Sequence, residues 1–427
     1  MKLLFDQVLL PPPYPAVPHY VTVEGAYITA IDKTRPLSEF DRVIAGKDCL
    51  LAPGLVNAHT HAAMTLFRGY GEDLPLDRWL NERIFPAEDR LTERAVYLGT
   101  KLSIAEMLKA GITSFSDMYF FCDEAARAVA ECGIKANLSR SVVSFDPDAD
   151  YTKDARVLEG VRLFSDWNGA EGGRILVDLS LHAEYTNTAA AVRTVASLAG
   201  ELGTRVQIHL SETEGEHKAC IGRHGKTPTA FFLENRLFEV PVVAAHCVHL
   251  TEEDRAILAD HGATAVHNPI SNLKLGSGIM PLCDTLASGV RVALGTDGAA
   301  SNNRLDLLRE MQTALLLAKS TTGRPDCLTA AEALPLATEN GALSQGRSDT
   351  GTLAVGKRAD LALFDLSALH ALPILDPMAS LAYALSAEDV RMTVVDGVIL
   401  YENGEFKALD VEKLKGEFTQ LRSHYFD

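Results

Sequence analysis

Leu50-Leu51-Ala52-Pro53-Gly54-Leu55-Val56-Asn57-Ala58-His59-Thr60-His61 is an apolar run that ends in two imidazoles two positions apart. In a strand, residues i and i+2 point to one face. A His-x-His pair on one face can bind a transition metal through nitrogen, although the pair alone is a weak signal. Its weight comes from three later residues, each near the end of a strand-like run. His209 ends Arg205–Leu210, His246 ends Val242–His246, and Asp297 follows the run that starts at Val290.

Outward from that stretch, residues 52–346 alternate apolar strand-like runs with helical stretches. Beyond the strand leading to His59, the strand candidates are Ile112–Asp117, Lys135–Arg140, Ile175–Leu181, Arg205–Leu210, Val242–His246, Ala263–His267 and Val290–Gly295. Helical stretches such as Ala95–Lys109 and Asp123–Cys132 separate them. Eight such units predict an α/β fold, a closed (β/α)8 TIM-type barrel. Residues 1–51 read as short strands punctuated by Pro and Gly, and 347–427 return to that pattern, with Asn403-Gly404 as a hairpin turn. The two terminal segments are expected to pair into one small β-sandwich domain flanking the barrel.

Composition removes several function classes. The chain has 427 residues, 47% of them apolar, enough for a large core. A formal charge of −17 and the lack of any dense Lys/Arg run argue against nucleic acid as a partner. No run is long and apolar enough to span a membrane, and the start lacks a secretory core. Cysteines at 49, 122, 132, 220, 247, 283 and 327 form no C-x-x-C motif and fit a reducing compartment. The expectation is a cytoplasmic homo-oligomer acting on a small molecule.

In a barrel of this kind chemistry sits at the carboxyl ends of the strands, where every candidate falls. Neutral imidazoles and one carboxylate leave a divalent cation with residual positive charge and an open position, where a water becomes acidic. Asp297 could both ligate and accept a proton. Glu212, three residues past His209, is placed to act as general acid/base; the competing reading is a solvated charge, since Glu214 and Glu216 follow.

Together these motifs resemble the amidohydrolase superfamily, in its subgroup of aromatic deaminases and chlorohydrolases. The resemblance covers nearly the whole chain: Pro53–His61, His209-Leu210-Ser211-Glu212-Thr213-Glu214, Ala245-His246-Cys247-Val248-His249, His267–Gly276, Gly295–Asn303 and Gly351–Asp360. It extends to the 5-methylthioadenosine/S-adenosylhomocysteine deaminases. It implies one divalent metal ion, zinc or else iron, held by His59, His61, His209 and Asp297. By the same likeness His246 acts on the attacking water and the substrate, and His249 has no such role. Two-metal relatives carry a lysine near the end of strand four; here that strand ends in His182.

The resemblance further implies substrate contacts at Trp79, Glu88, Arg140, Arg156 and His182. Trp79 and Glu88 would serve the nucleoside, a carboxylate being able to accept from two ribose hydroxyls. Arg140 and Arg156 would pair a carboxylate tail, and His182 would touch the purine. Where the family pattern has Pro after strand four, this chain has Glu184, which is expected to put a charge beside the pocket. His182-Ala183-Glu184 also looks like the zinc motif of cytidine-type deaminases, but their later P-C-x-x-C is absent. The implied reaction is hydrolytic deamination of an adenine nucleoside derivative. The alternatives are another N-heterocycle (guanine, pterin, cytosine or triazine) or, in a different class, a non-catalytic scaffold, which would not need the ligand set kept here.

Overall fold

The barrel strands are covered on both faces, so they are buried nearly throughout, polar residues such as Ser116, Asn137 and Gln207 included. A computed structural model describes residues 1–426. Its barrel strands are, in order, Leu55–Thr60, Ile112–Tyr119, Lys135–Val142, a split fourth strand (Ile175–Val177 and Leu179–Leu181), Val206–Leu210, Val242–His246, Thr264–His267 and Arg291–Leu294. Neighbours are parallel throughout. Small residues fill part of the interior: Ala58, Val243, Val266 and Ala293 form one buried cluster.

The eight strands make a nearly closed TIM-like barrel. No ladder joins the eighth strand to the first; side chains and loop amides close that seam. Asn57 donates from Nδ2 to Thr296 Oγ1 at 2.7 Å and accepts from the Thr296 N–H at 3.0 Å. The Thr296 and Asp297 N–H groups both donate to the His59 carbonyl. Gly295 makes this approach possible, because a Cβ there would stand 2.4 Å from Asn268 Oδ1 and 2.9 Å from the His59 carbonyl oxygen.

The termini build two further sheets. Tyr27–Asp32, His19–Glu24, Lys2–Val8 and Arg42–Ala45 form one. The other runs Glu405–Phe406, Val398–Glu402, Val390–Val395, Leu361–Asp365, Cys49–Pro53, and is antiparallel. Leu3, Phe5, Val21 and Val23 of the first meet Leu51, Leu361, Leu363 and Met392 of the second in one buried cluster, so the sheets form a sandwich. Asn403 and Gly404 have φ of 47° and 91°, as the hairpin turn requires.

Two features differ from the sequence reading. The fourth strand is broken at Asp178, whose buried carboxylate accepts from Asn137, Gln207 and Arg205. The C-terminal segment is not all strand: Val411–Phe426 is a helix against Glu93–Lys109, tied by Arg94 to Glu417 and by the Tyr425 hydroxyl donating to the Arg90 carbonyl at 2.8 Å. Among the described residues no helix is long and apolar enough to cross a membrane.

Candidate active site at the barrel mouth

The seam that closes the barrel also gathers the metal-ligand candidates. His59 and His61 leave the end of the first strand, and Asp297 lies just past the eighth. His61 Nε2 is 3.2 Å and His59 Nε2 3.5 Å from Asp297 Oδ1, and His209 Nε2 lies 3.3 Å from His61 Nε2. Donor atoms fall into two overlapping triads, His59–His61–Asp297 and His59–His209–His246, each within 4.8 Å. All five side chains are largely buried.

Surrounding groups set which atom of each side chain faces the centre. His61 Nδ1 donates to the Met118 carbonyl at 2.6 Å, and His209 Nδ1 to the His182 carbonyl at 2.8 Å. That leaves the Nε2 lone pairs pointing inward, as metal ligation needs. The Ser271 and Ser301 hydroxyls both donate to Asp297 Oδ2, at 2.7 and 2.8 Å, leaving Oδ1 to the imidazoles. Asp297 and His246 both have positive φ, 58° and 72°. Such backbone is costly for these residues and persists only where the surroundings enforce it.

The donor set fits a single divalent ion. His59 Nε2 is buried with no hydrogen-bond partner, an expensive state unless a cation accepts its lone pair. Burial lowers His59 to about 4 and holds His209 well below the ordinary imidazole range, so both are neutral at physiological pH, as ligation would require. Burial also works against protonated His61, yet the hydrogen bond and charge of Asp297 outweigh it and lift His61 to about 9. The carboxylate thus calls for a positive charge at this point. Three imidazoles and one carboxylate suit zinc, with iron also compatible.

Glu212 is not a solvated loop charge. It is buried, and helix capping fixes its backbone: Thr213 caps Glu214–His224, while Glu216 accepts from the Ser211 and Glu212 N–H groups at 3.1 and 2.7 Å. The Ser277 hydroxyl donates to Glu212 Oε1 at 3.2 Å, and Oε2 lies 3.7 Å from His246 Nε2. Burial raises the Glu212 carboxyl above its usual range, which favours an acid able to give up a proton. His246 is oriented by Nδ1 donating to Asn272 Oδ1 at 2.8 Å. His249 does not line the cavity over this group, and its Nε2 binds the Ser277 carbonyl at 2.7 Å.

A cavity of about 660 Å³ opens over the cluster, lined by His61, His209, Glu212, His246 and Asp297 at its floor. Trp79, Glu88, Arg140, Arg156 and His182 all line it too. Burial pushes Glu88 up to about 7. The His182 ring lies 4.9 Å from the His209 ring, tilted 54° to it, and is pushed down to about 4 by burial, hence neutral. Trp79 packs with Ile84, Phe67 and Tyr425 behind the wall. Arg156 is half exposed at the rim, donating to the Val143 carbonyl.

Glu184 lies beside the cavity, between the lining residues His182 and Tyr185, but does not enter it: it is buried, and Arg223 and His224 of Glu214–His224 take both its oxygens. Arg140, in turn, is not a free cation. Its Nε donates to Glu159 Oε2 at 2.7 Å, and its guanidinium lies over the Phe120 ring. The supporting residues Asn57, Glu159, Glu216, Ser271, Asn272, Ser277 and Ser301 have no role assigned from sequence. Several lie inside motifs recognised there, such as Pro269-Ile270-Ser271-Asn272, but their partners are set by the tertiary fold.

Comparison with known proteins agrees with this geometry. A model of the amidohydrolase family matches residues 50–400. A 5-methylthioadenosine/S-adenosylhomocysteine deaminase from Moorella thermoacetica is 46% identical over 381 residues, covering 89% of this chain and 88% of that protein. One of the same name from Syntrophomonas wolfei is 44% identical, covering 92% and 91%. The crystal structure of an adenosine deaminase from Xanthomonas campestris with bound zinc superposes with a TM-score of 0.92 at 34% identity, covering 99% of this chain and 98% of that one. Fold, ligand geometry and sequence agree, and the chain belongs to the amidohydrolase family.

Proposed function

We propose that the protein is a metal-dependent aminohydrolase. It converts the adenine ring of S-adenosylhomocysteine or 5′-methylthioadenosine, with adenosine as a further substrate, to the inosine counterpart and ammonia. The observation that carries this reading is the pairing of a buried His/Asp ligand cluster with a buried acid, Glu212, on the floor of one cavity. Expelling an amine requires a proton donor, which a chloride leaving group does not. The names of the relatives at 44–46% identity support the substrate class.

His59, His61, His209 and Asp297 would hold the ion, which when bound makes a water acidic enough to add to carbon at neutral pH. Asp297 accepts a proton from the attacking water. Glu212 carries a proton to the ring nitrogen beside C6, then takes up the proton of the new C6 hydroxyl and so helps the amine leave, which departs with the proton that Asp297 accepted. With Nδ1–H committed to Asn272, His246 presents its Nε2 lone pair to the water and turns it toward the ring. Water is consumed, the C6–N bond breaks, and ammonia leaves.

Glu88 binds the ribose hydroxyls, Trp79 packs on the nucleoside, His182 meets the purine, and Arg140 and Arg156 face the tail. The reading includes a cytoplasmic homo-oligomer: five of seven cysteines are buried thiols, and Leu369 and Leu375 point outward for a partner copy to cover. An ammonia-release screen over adenosine, 5′-methylthioadenosine, S-adenosylhomocysteine, guanine, pterins and triazines tests the function. Release from the thioether nucleosides is expected; release only from another ring would overturn the assignment.

A further inference from the structure

The Arg140–Glu159 pair carries a consequence for the substrate tail. Both residues line the cavity, together with Arg156 and Phe145 at the outer rim. Arg140 does not need Glu159 to stay in place, because its guanidinium also donates to the Ser141 carbonyl and rests on the Phe120 ring. Glu159 uses only Oε2 on Arg140, and its side chain keeps about a third of its surface exposed. It projects from the helix Ala155–Trp167, one turn beyond Arg156.

A cavity wall built for a bare carboxylate gains nothing from an acid beside its arginine: the acid cancels part of the attraction. An adjacent cation and anion instead match a ligand that carries both charges. We infer that Glu159 is the binding site for the α-ammonium of an amino-acid tail, with Arg140 and Arg156 on its α-carboxylate, so that the pocket selects a zwitterion. This rests on the adenine-nucleoside reading above and narrows it, making S-adenosylhomocysteine the preferred substrate over the methylthio compound.

The test compares kcat/KM for three substrates: S-adenosylhomocysteine, its desamino analogue (hydrogen in place of the tail ammonium) and 5′-methylthioadenosine. Wild type should favour S-adenosylhomocysteine over the desamino analogue by about tenfold, the scale of one partly exposed charged hydrogen bond. Glu159→Gln should erase that preference, because Arg140 is then free to pair the carboxylate of either tail. Glu159→Asp, which keeps the charge, should retain part of it. An undiminished preference in Glu159→Gln, or none in wild type, would overturn the inference while methylthioadenosine turnover persists. Failure of wild type to deaminate any of the three would overturn the adenine-nucleoside reading along with it.

Discussion

Glu212 owes its position to backbone hydrogen bonds and its retained proton to burial. Glu216 grips its N–H, Ser277 touches one carboxyl oxygen, and the enclosed site keeps it protonated more readily than a surface glutamate. Glu212→Gln preserves size and these backbone contacts but removes the transferable proton. It should retain a full equivalent of metal and lose roughly 10²- to 10⁴-fold in kcat. Metal content and ammonia release measured on the same preparation check this; wild-type turnover would take Glu212 out of the chemistry. At this scale the residues that cluster at the mouth were legible in the sequence, since strand ends are local features. What orients them was not. Ser271, Ser301 and Asn272 act from distant positions, and nothing in their own neighbourhood marks them as hydrogen-bond partners of Asp297 and His246.

Among the elements, the junction of the first and eighth strands does two jobs. It closes the barrel without a ladder, and it brings His59 and His61 to Asp297. Asn57 is the hinge of that junction, buried and bonded twice to Thr296. Asn57→Ala should cost about 1–3 kcal/mol, the loss of a buried hydrogen-bonding group. It should also speed metal loss to a chelator, because the loop carrying Asp297 slackens; denaturant unfolding and the chelation rate measure the two effects. The strand pattern was readable because apolar residues recur in each barrel strand and helical stretches separate the strands. Two features escaped for different reasons. The break at Asp178 follows from side chains on neighbouring strands. The helix Val411–Phe426 did leave a signal, with Val411, Leu414, Phe418, Leu421 and Tyr425 at helical spacing, but the strand-rich segment before it masked that signal.

At the level of the whole molecule, a buried ion network ties the barrel to the terminal sheets. Lys135 opens the third barrel strand and is almost fully enclosed; its ammonium meets Asp360 and Asp396, and Arg358 joins Asp396. Removing one member leaves uncompensated charge. Lys135→Met should therefore destabilise the protein by about 3–5 kcal/mol, seen as a lower urea midpoint. Introducing Asp360→Asn in that background should restore part of the loss. Barrel and sandwich together serve one end: a rigid mouth on which five side chains from four strand ends meet. Metal stoichiometry tests that claim most directly, by elemental analysis of the purified wild-type chain and of His61→Ala. One divalent transition ion per chain is expected in the first and almost none in the second. A wild-type protein that takes up no ion, or a His61→Ala protein that keeps a full equivalent, would contradict it.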